Sequence, residues 1–259
     1  MIIKLVSFPY VDRLSAKSRK LRINIVSDIL NEKNADFVMF SEWIFDNMDD
    51  LKKVCQLTHN KQVTALFELS LASGLDGNNL FLLQNGKIKD LKTHQIFSTP
   101  KEATEENIEN LIRELETHRQ FVVNDKHFLI LQCGENNILK TTRDKENCSE
   151  FRLSNRSDLK NRFDKVINGV DVILNPLHTK WGRFYDFSCR LYKFSEKKRC
   201  CLYCCQLEGN QQMNAIKNTQ KNTAQRVMKS RKIIAPLYII AALYTESPSN
   251  NYLLQTYEI

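Results

Sequence analysis

Apolar residues along the chain follow two rhythms. Short, nearly continuous runs recur at residues 2–8 (IIKLVSF), 36–41 (DFVMFS), 62–70 (QVTALFELS), 79–91 (NLFLLQNGKIKDL), 126–132 (KHFLILQ) and 170–175 (VDVILN). They are rich in β-prone residues and bounded by turn formers, so they read as buried strands. Asn85-Gly86 splits the run at 79–91. Both residues accept the positive φ of a type I′ turn, so this run predicts a two-residue hairpin.

The second rhythm is helical. In residues 157–169, Leu159, Phe163, Val166 and Ile167 share one face, with Ser157 as a candidate cap and Gly169 past the end. Phe184, Phe187, Leu191 and Phe194 repeat the pattern, as do Ile108, Leu111, Ile112 and Leu115. A further helix is expected within residues 14–34, between the first two strands. Strand and helix alternate along the chain, which predicts an α/β fold. The continuous apolar strands predict sheets covered on both faces.

Length and composition narrow the class. The 259 residues are 42% hydrophobic, enough for a substantial core. No repeat, low-complexity segment or obvious linker is found, and the length allows one large domain or two small ones. The longest apolar stretch, residues 233–244, is broken by Pro236 and too short to span a bilayer. The first 20 residues place an apolar run before the basic ones, the reverse of a secretory signal. A cytoplasmic protein with no membrane partner is expected, its eight cysteines reduced. The net charge of +8 raises nucleic acid as a partner. The basic residues are scattered, which favours a solvated basic surface.

Three strand ends carry candidate chemistry. FVMFSEW reaches Glu42, IKDLKTHQIF holds Lys92, and FLILQC ends in Cys133. Polar groups at strand ends of layered α/β folds converge on a site held rigid by the apolar strands before them. A carboxylate can take a thiol proton, and an ammonium can stabilise both thiolate and oxyanion. Gly134 suits a sharp turn that aims a backbone N–H at substrate. Each residue alone has a plainer reading: a buried structural cysteine, a helix-capping acid, a solvated lysine.

Four motifs in order resemble the nitrilase, or carbon-nitrogen hydrolase, superfamily. DFVMFSEW is similar to its strand ending in the base glutamate, and LKTHQIF to its lysine motif. FLILQCGE is similar to its nucleophile strand, and DVILNPLHTKWGRF to a later strand ending in Asn-Pro. The resemblance implies a four-layer α-β-β-α sandwich as one domain over residues 1–259, a homodimer, and hydrolysis of an amide or nitrile through a thioester. Cys133 would be nucleophile, Glu42 base and Lys92 oxyanion partner, with the Gly134 N–H beside it. Transfer of the acyl group to another acceptor uses the same intermediate. No metal or cofactor is needed. His178 and Trp181, after Asn175-Pro176, would line the pocket. Glu102 is the candidate for the family's second glutamate, with Glu105 behind it, although each also reads as a solvated surface acid. The family's aromatic residue after the nucleophile is replaced by Gly134, so the pocket is expected to lose one wall.

Other features have simpler expectations. RCCLYCC, residues 199–205, suggests a metal through Cys201 and Cys204. No second Cys-x-x-Cys exists and a closed zinc site needs four ligands, so it reads as a buried strand. His94 reads as a packing residue behind the site. The alternative to an enzyme is a binding or regulatory module. It would contact nucleic acid or a protein through Lys217, Lys221, Arg226, Lys229, Arg231 and Lys232. At helical spacing these form no single tight stripe, which favours a solvated face.

Overall fold

The computed structural model describes residues 1–11, 14–70, 77–142, 148–177, 184–207 and 224–259, with the side chains of 184 and 185 excepted. Two sheets lie face to face. The first orders its strands β14-β15-β1-β2-β3-β4-β5: β1 is Ile2–Ser7, β2 Phe37–Phe40, β3 Thr64–Glu68, β4 Leu80–Gln84, β5 Lys87–Asp90, β14 Tyr238–Ala242 and β15 Tyr252–Glu258. The second orders them β13-β12-β11-β10-β7-β6: β6 is Gln120–Val123, β7 Lys126–Ile130, β10 Val172–Leu177, β11 Cys200–Cys205, β12 Gln225–Lys229 and β13 Lys232–Ile234. A small hairpin pairs β8, Leu139–Thr141, with β9, Ser149–Phe151.

Period-two alternation builds the layers. Ile3, Leu5, Phe37 and Met39 point between the sheets, where they meet Phe128, Ile130, Cys200 and Leu202. Their neighbours Val6, Val38 and Phe40 point outward, onto helices α1 (Ala16–Asn31) and α2 (Met48–Leu57). On the other side, Leu129, Leu131, Cys201 and Tyr203 pack with α3 (Glu105–Thr117), α4 (Ser157–Asn168) and α5 (Phe184–Phe194). The architecture is the four-layer α-β-β-α sandwich.

The apolar helix faces are buried as their spacing predicts: Ile108, Leu111, Ile112 and Leu115 in α3, and Leu159, Phe163, Val166 and Ile167 in α4. Ser157 is the first residue of α4 rather than its cap, which is Arg156 and makes no side-chain cap bond. The hairpin turn holds Asn85 at φ 54° and Gly86 at φ 69°. The cysteine-rich stretch is β11, buried throughout. The described part of the basic segment forms strands β12 and β13, so helical spacing does not apply there. Lys217 and Lys221 lie outside the described residues. Among the described residues, no helix is long and apolar enough to cross a membrane.

Candidate active site

Strands β1, β2 and β3 run parallel in one sheet, and β7, β10 and β11 in the other. Their carboxyl ends meet. The N–H of Leu207 donates to the Phe8 carbonyl at 2.8 Å, and that of Glu42 to the Leu177 carbonyl at 3.2 Å. Gln206 Nε2 donates to the Glu42 carbonyl at 2.7 Å. Glu42 is thus clamped between the sheets, with no exposure to solvent. Trp43 follows in the left-handed region at φ 55°, and its N–H donates to the Glu68 carbonyl at 3.0 Å.

Glu68 ends β3 as Glu42 follows β2. It is buried, and its carboxyl lies within hydrogen-bonding reach of Glu42. Its Oε1 accepts from Asn79 Nδ2 at 3.1 Å. Gln132 Nε2 donates to Asn79 Oδ1 at 3.1 Å, so a polar chain runs from the two glutamates to the residue before Cys133. Burial, and then the neighbouring Glu42 charge, push the Glu68 carboxyl well above its ordinary range.

Cys133 opens a 3-10 turn, Cys133–Ile138, directly after the extended Gln132. Its φ is 39°, a left-handed conformation that a non-glycine residue adopts only when its surroundings enforce it. Those surroundings are visible. The Cys133 carbonyl accepts from Asn136 Nδ2 at 3.2 Å and from Asn175 Nδ2 at 3.1 Å. Asn175 Nδ2 also reaches the Leu131 carbonyl at 2.7 Å. Arg190 Nη1 donates to Asn136 Oδ1 at 3.2 Å, tying α5 to the same turn.

Glu135 anchors the turn from the other side. Its carboxylate accepts from the N–H groups of Gln132 and Ile96, both at 2.7 Å, and from the buried Arg119 guanidinium. Arg119 also donates to Thr93 Oγ1 at 2.8 Å and to the His94 carbonyl at 2.6 Å. The segment after Lys92 is therefore bound to the turn that carries Cys133.

Lys92 itself sits at φ 54°, its N–H donating to Asp90 Oδ1 at 2.6 Å. Its side chain is exposed, and its ammonium has no hydrogen-bond or ion-pair partner among the described residues. The structure thus joins Glu42 to the Cys133 turn through Glu68, Asn79 and Gln132, and joins Lys92 to that turn only through its backbone neighbours. His94 is exposed and contributes its carbonyl. Glu102 lies in a surface turn, where the N–H groups of Ser98 and then Thr99 hold its carboxylate below the usual range. Glu105 is the first residue of α3 and pairs with Arg156 on the surface. His178 and Trp181 lie outside the described residues.

Gly134 is required by space. A Cβ there would fall within the Ser98 carbonyl group and 2.7 Å from Ser98 Cα. The Ser98 backbone fills the space beside Gly134 that a side chain there would enter. Among the described residues, no group of three or more His, Cys, Asp or Glu could hold a metal ion.

Glu68, Arg119 and Asn136 were not singled out from the sequence. Glu68 carried the signal that marked Glu42, an acid closing an apolar strand. Arg119 carried none, because a lone arginine before a strand reads as solvated.

No protein-family profile matches the sequence, and no curated protein does. Solved structures do match in fold. A CN-hydrolase superfamily protein from Xanthomonas campestris, with an arsenic adduct in its active site, superposes with a TM-score of 0.55 at 10% identity, covering 99% of this chain and 90% of that one. An amidase from Nesterenkonia sp. gives 0.53 at 8% identity, with the same coverage. A variant of that amidase with acrylamide added at its active-site cysteine gives 0.51 at 8% identity, covering 98% and 92%. The chain shares the fold of these proteins along nearly its whole length.

Proposed function

We propose that the protein is an amidase-like carbon-nitrogen hydrolase that works through a thioester on Cys133. The observation that carries this reading is the left-handed turn at Cys133, at the meeting of the parallel strand ends and linked by a buried polar chain to Glu42. Such a turn lifts a nucleophile out of the strand before it. The likeness in fold to amidases with an active-site cysteine supports it.

The Cys133 thiol passes its proton to Glu42 as sulfur attacks the amide carbon. Glu42 returns that proton to the departing ammonia or amine. It then takes a proton from water, whose oxygen cleaves the thioester to the acid and restores the thiol. The Lys92 ammonium, with no described partner to hold it, turns toward the oxyanion when substrate is bound, beside the Gly134 N–H. Nitriles and acyl transfer to a second acceptor are accessible through the same thioester. The whole chain acts as one domain, and pairs as a homodimer.

The test is a screen of small aliphatic amides read as ammonia release, with Cys133→Ala as the blank. Turnover that disappears in the blank supports the reading. Cys133→Ala turning over at the wild-type rate removes Cys133 from the mechanism.

A further inference from the structure

We propose that Glu68 is a positioning residue that keeps a proton at neutral pH and donates it to Glu42, so that the two carboxyls act as one acid and one base. This deepens the hydrolase reading and rests on Glu42 being the base.

Two buried acceptors here lack donors. Glu68 is 3% exposed, and its Oε2 is buried with no hydrogen-bond partner. Oε1 accepts from the Asn79 amide at 3.1 Å, and the Gln132 amide also lies within hydrogen-bonding reach of the carboxyl. A buried, ionised carboxylate held only by neutral amides, with a second carboxyl against it, is costly, and such a group takes up a proton instead. Gln132 Oε1, beside it, is another buried acceptor with no donor. A proton on Glu68 Oε2 turns that oxygen from an unpartnered acceptor into a donor toward Glu42.

The surrounding charges point the same way. Glu42 faces Glu68 from the end of β2 and Glu135 from the nucleophile turn, both fully buried. Glu135 is neutralised by Arg119. Glu42 and Glu68 cannot both ionise cheaply at contact distance, since like charges sharing a site force one pKa up. Burial comes first among the causes that raise Glu68, and Glu42 second, against the amide of Gln132, which lowers it.

The role follows from geometry. A neutral Glu68 holds Glu42 by a hydrogen bond in one orientation and leaves it a single negative charge to receive the thiol proton. When Glu68 ionises at high pH, it repels that charge and frees the Glu42 carboxylate to turn.

Infrared spectroscopy tests protonation without any substrate. At pH 7 the wild-type protein is expected to show the carbonyl stretch of a buried neutral carboxylic acid, and Glu68→Gln to lack it. A spectrum without the band, or with the band intact in Glu68→Gln, overturns the proposal whether or not the protein hydrolyses amides. The second arm is kinetic. Gln retains a neutral donor and Ala does not, so Glu68→Ala is expected to lose kcat roughly tenfold or more and Glu68→Gln to recover most of it. Both variants should lose the alkaline limb of kcat that Glu68 ionisation causes. Equal losses in both variants, with the alkaline limb unmoved, would reduce Glu68 to a packing residue.

Discussion

Arg119 grips Glu135 with two guanidinium nitrogens, at 2.5 and 3.0 Å, where neither side chain is exposed to solvent. The pair is a hub rather than an isolated bridge. Through Thr93, His94 and Ile96 it holds the segment after Lys92, and through the Gln132 N–H it holds the nucleophile turn. Removing one partner leaves the other charge buried alone, which typically costs about 3–5 kcal/mol. Arg119→Met should lower the unfolding free energy read from a urea titration by about that amount. The double variant Arg119→Met, Glu135→Leu should be less destabilised than the single, because no orphan charge remains. A double variant less stable than Arg119→Met would contradict this account.

Gly134→Ala should be poorly tolerated, since its methyl group would enter the Ser98 backbone. Overpacking of this kind costs about 1–3 kcal/mol, sometimes more. The thermal midpoint should fall. The rate of Cys133 alkylation should change with it, as either the turn or the Ser98 segment must move. An unchanged midpoint would show that the segment yields freely.

Asn175 bonds the carbonyls of Leu131 and Cys133 from the neighbouring strand. Asn175→Leu removes the side-chain donor to Leu131 and one of the two to Cys133, whose carbonyl keeps the Asn136 amide; a buried carbonyl left without a partner costs about 1–3 kcal/mol. We expect lower stability in guanidinium titrations, and amide exchange accelerated first at residues 133–138. Uniform acceleration across the second sheet would argue for a general packing effect instead.

The raised Glu68 pKa makes stability depend on pH. The folded protein holds a proton that the unfolded chain releases near the ordinary glutamate value. Stability from this group is therefore full below that value, and declines as pH rises toward the folded pKa. Glu68→Gln should flatten this decline. Parallel unfolding curves for the two proteins between pH 4 and 9 would refute the linkage, and the sign would reverse if Glu68 were ionised by a buried partner.

Much of this was legible from pattern alone. The β4–β5 hairpin was readable because Asn85-Gly86 states its turn chemistry locally, and β11 because six buried residues leave no polar face to misread. The site was readable where strand ends carry acids or a cysteine. Elsewhere the deciding contacts are distant. The edge strand β14 carries Tyr238, Ile239 and Ile240, apolar residues that suggest a core yet stand exposed. Strand β15 joins the sheet by pairing with β1, at the far end of the sequence, and carries β14 on its other edge. The β6–β7 hairpin turns on Asn124 and Asp125, both at positive φ, a weaker signal than Asn-Gly. Arg119 becomes a hub only once β6 lies beside the Cys133 turn. The outward placement of Lys92 depends on a left-handed residue that nothing in LKTHQIF announces.

The cysteines of β11 give the molecule a built-in unfolding gauge. Cys200, Cys201, Cys204 and Cys205 are all buried. Burial pushes the Cys200 thiol up to about 12 and raises Cys201 and Cys204 as well. A thiol reacts only as its anion, so these groups stay silent until the second sheet opens. Under native conditions, the slow appearance of their labelled products measures how often the core opens, much as amide exchange does. The same sample, sampled early, reports on the more accessible thiols instead.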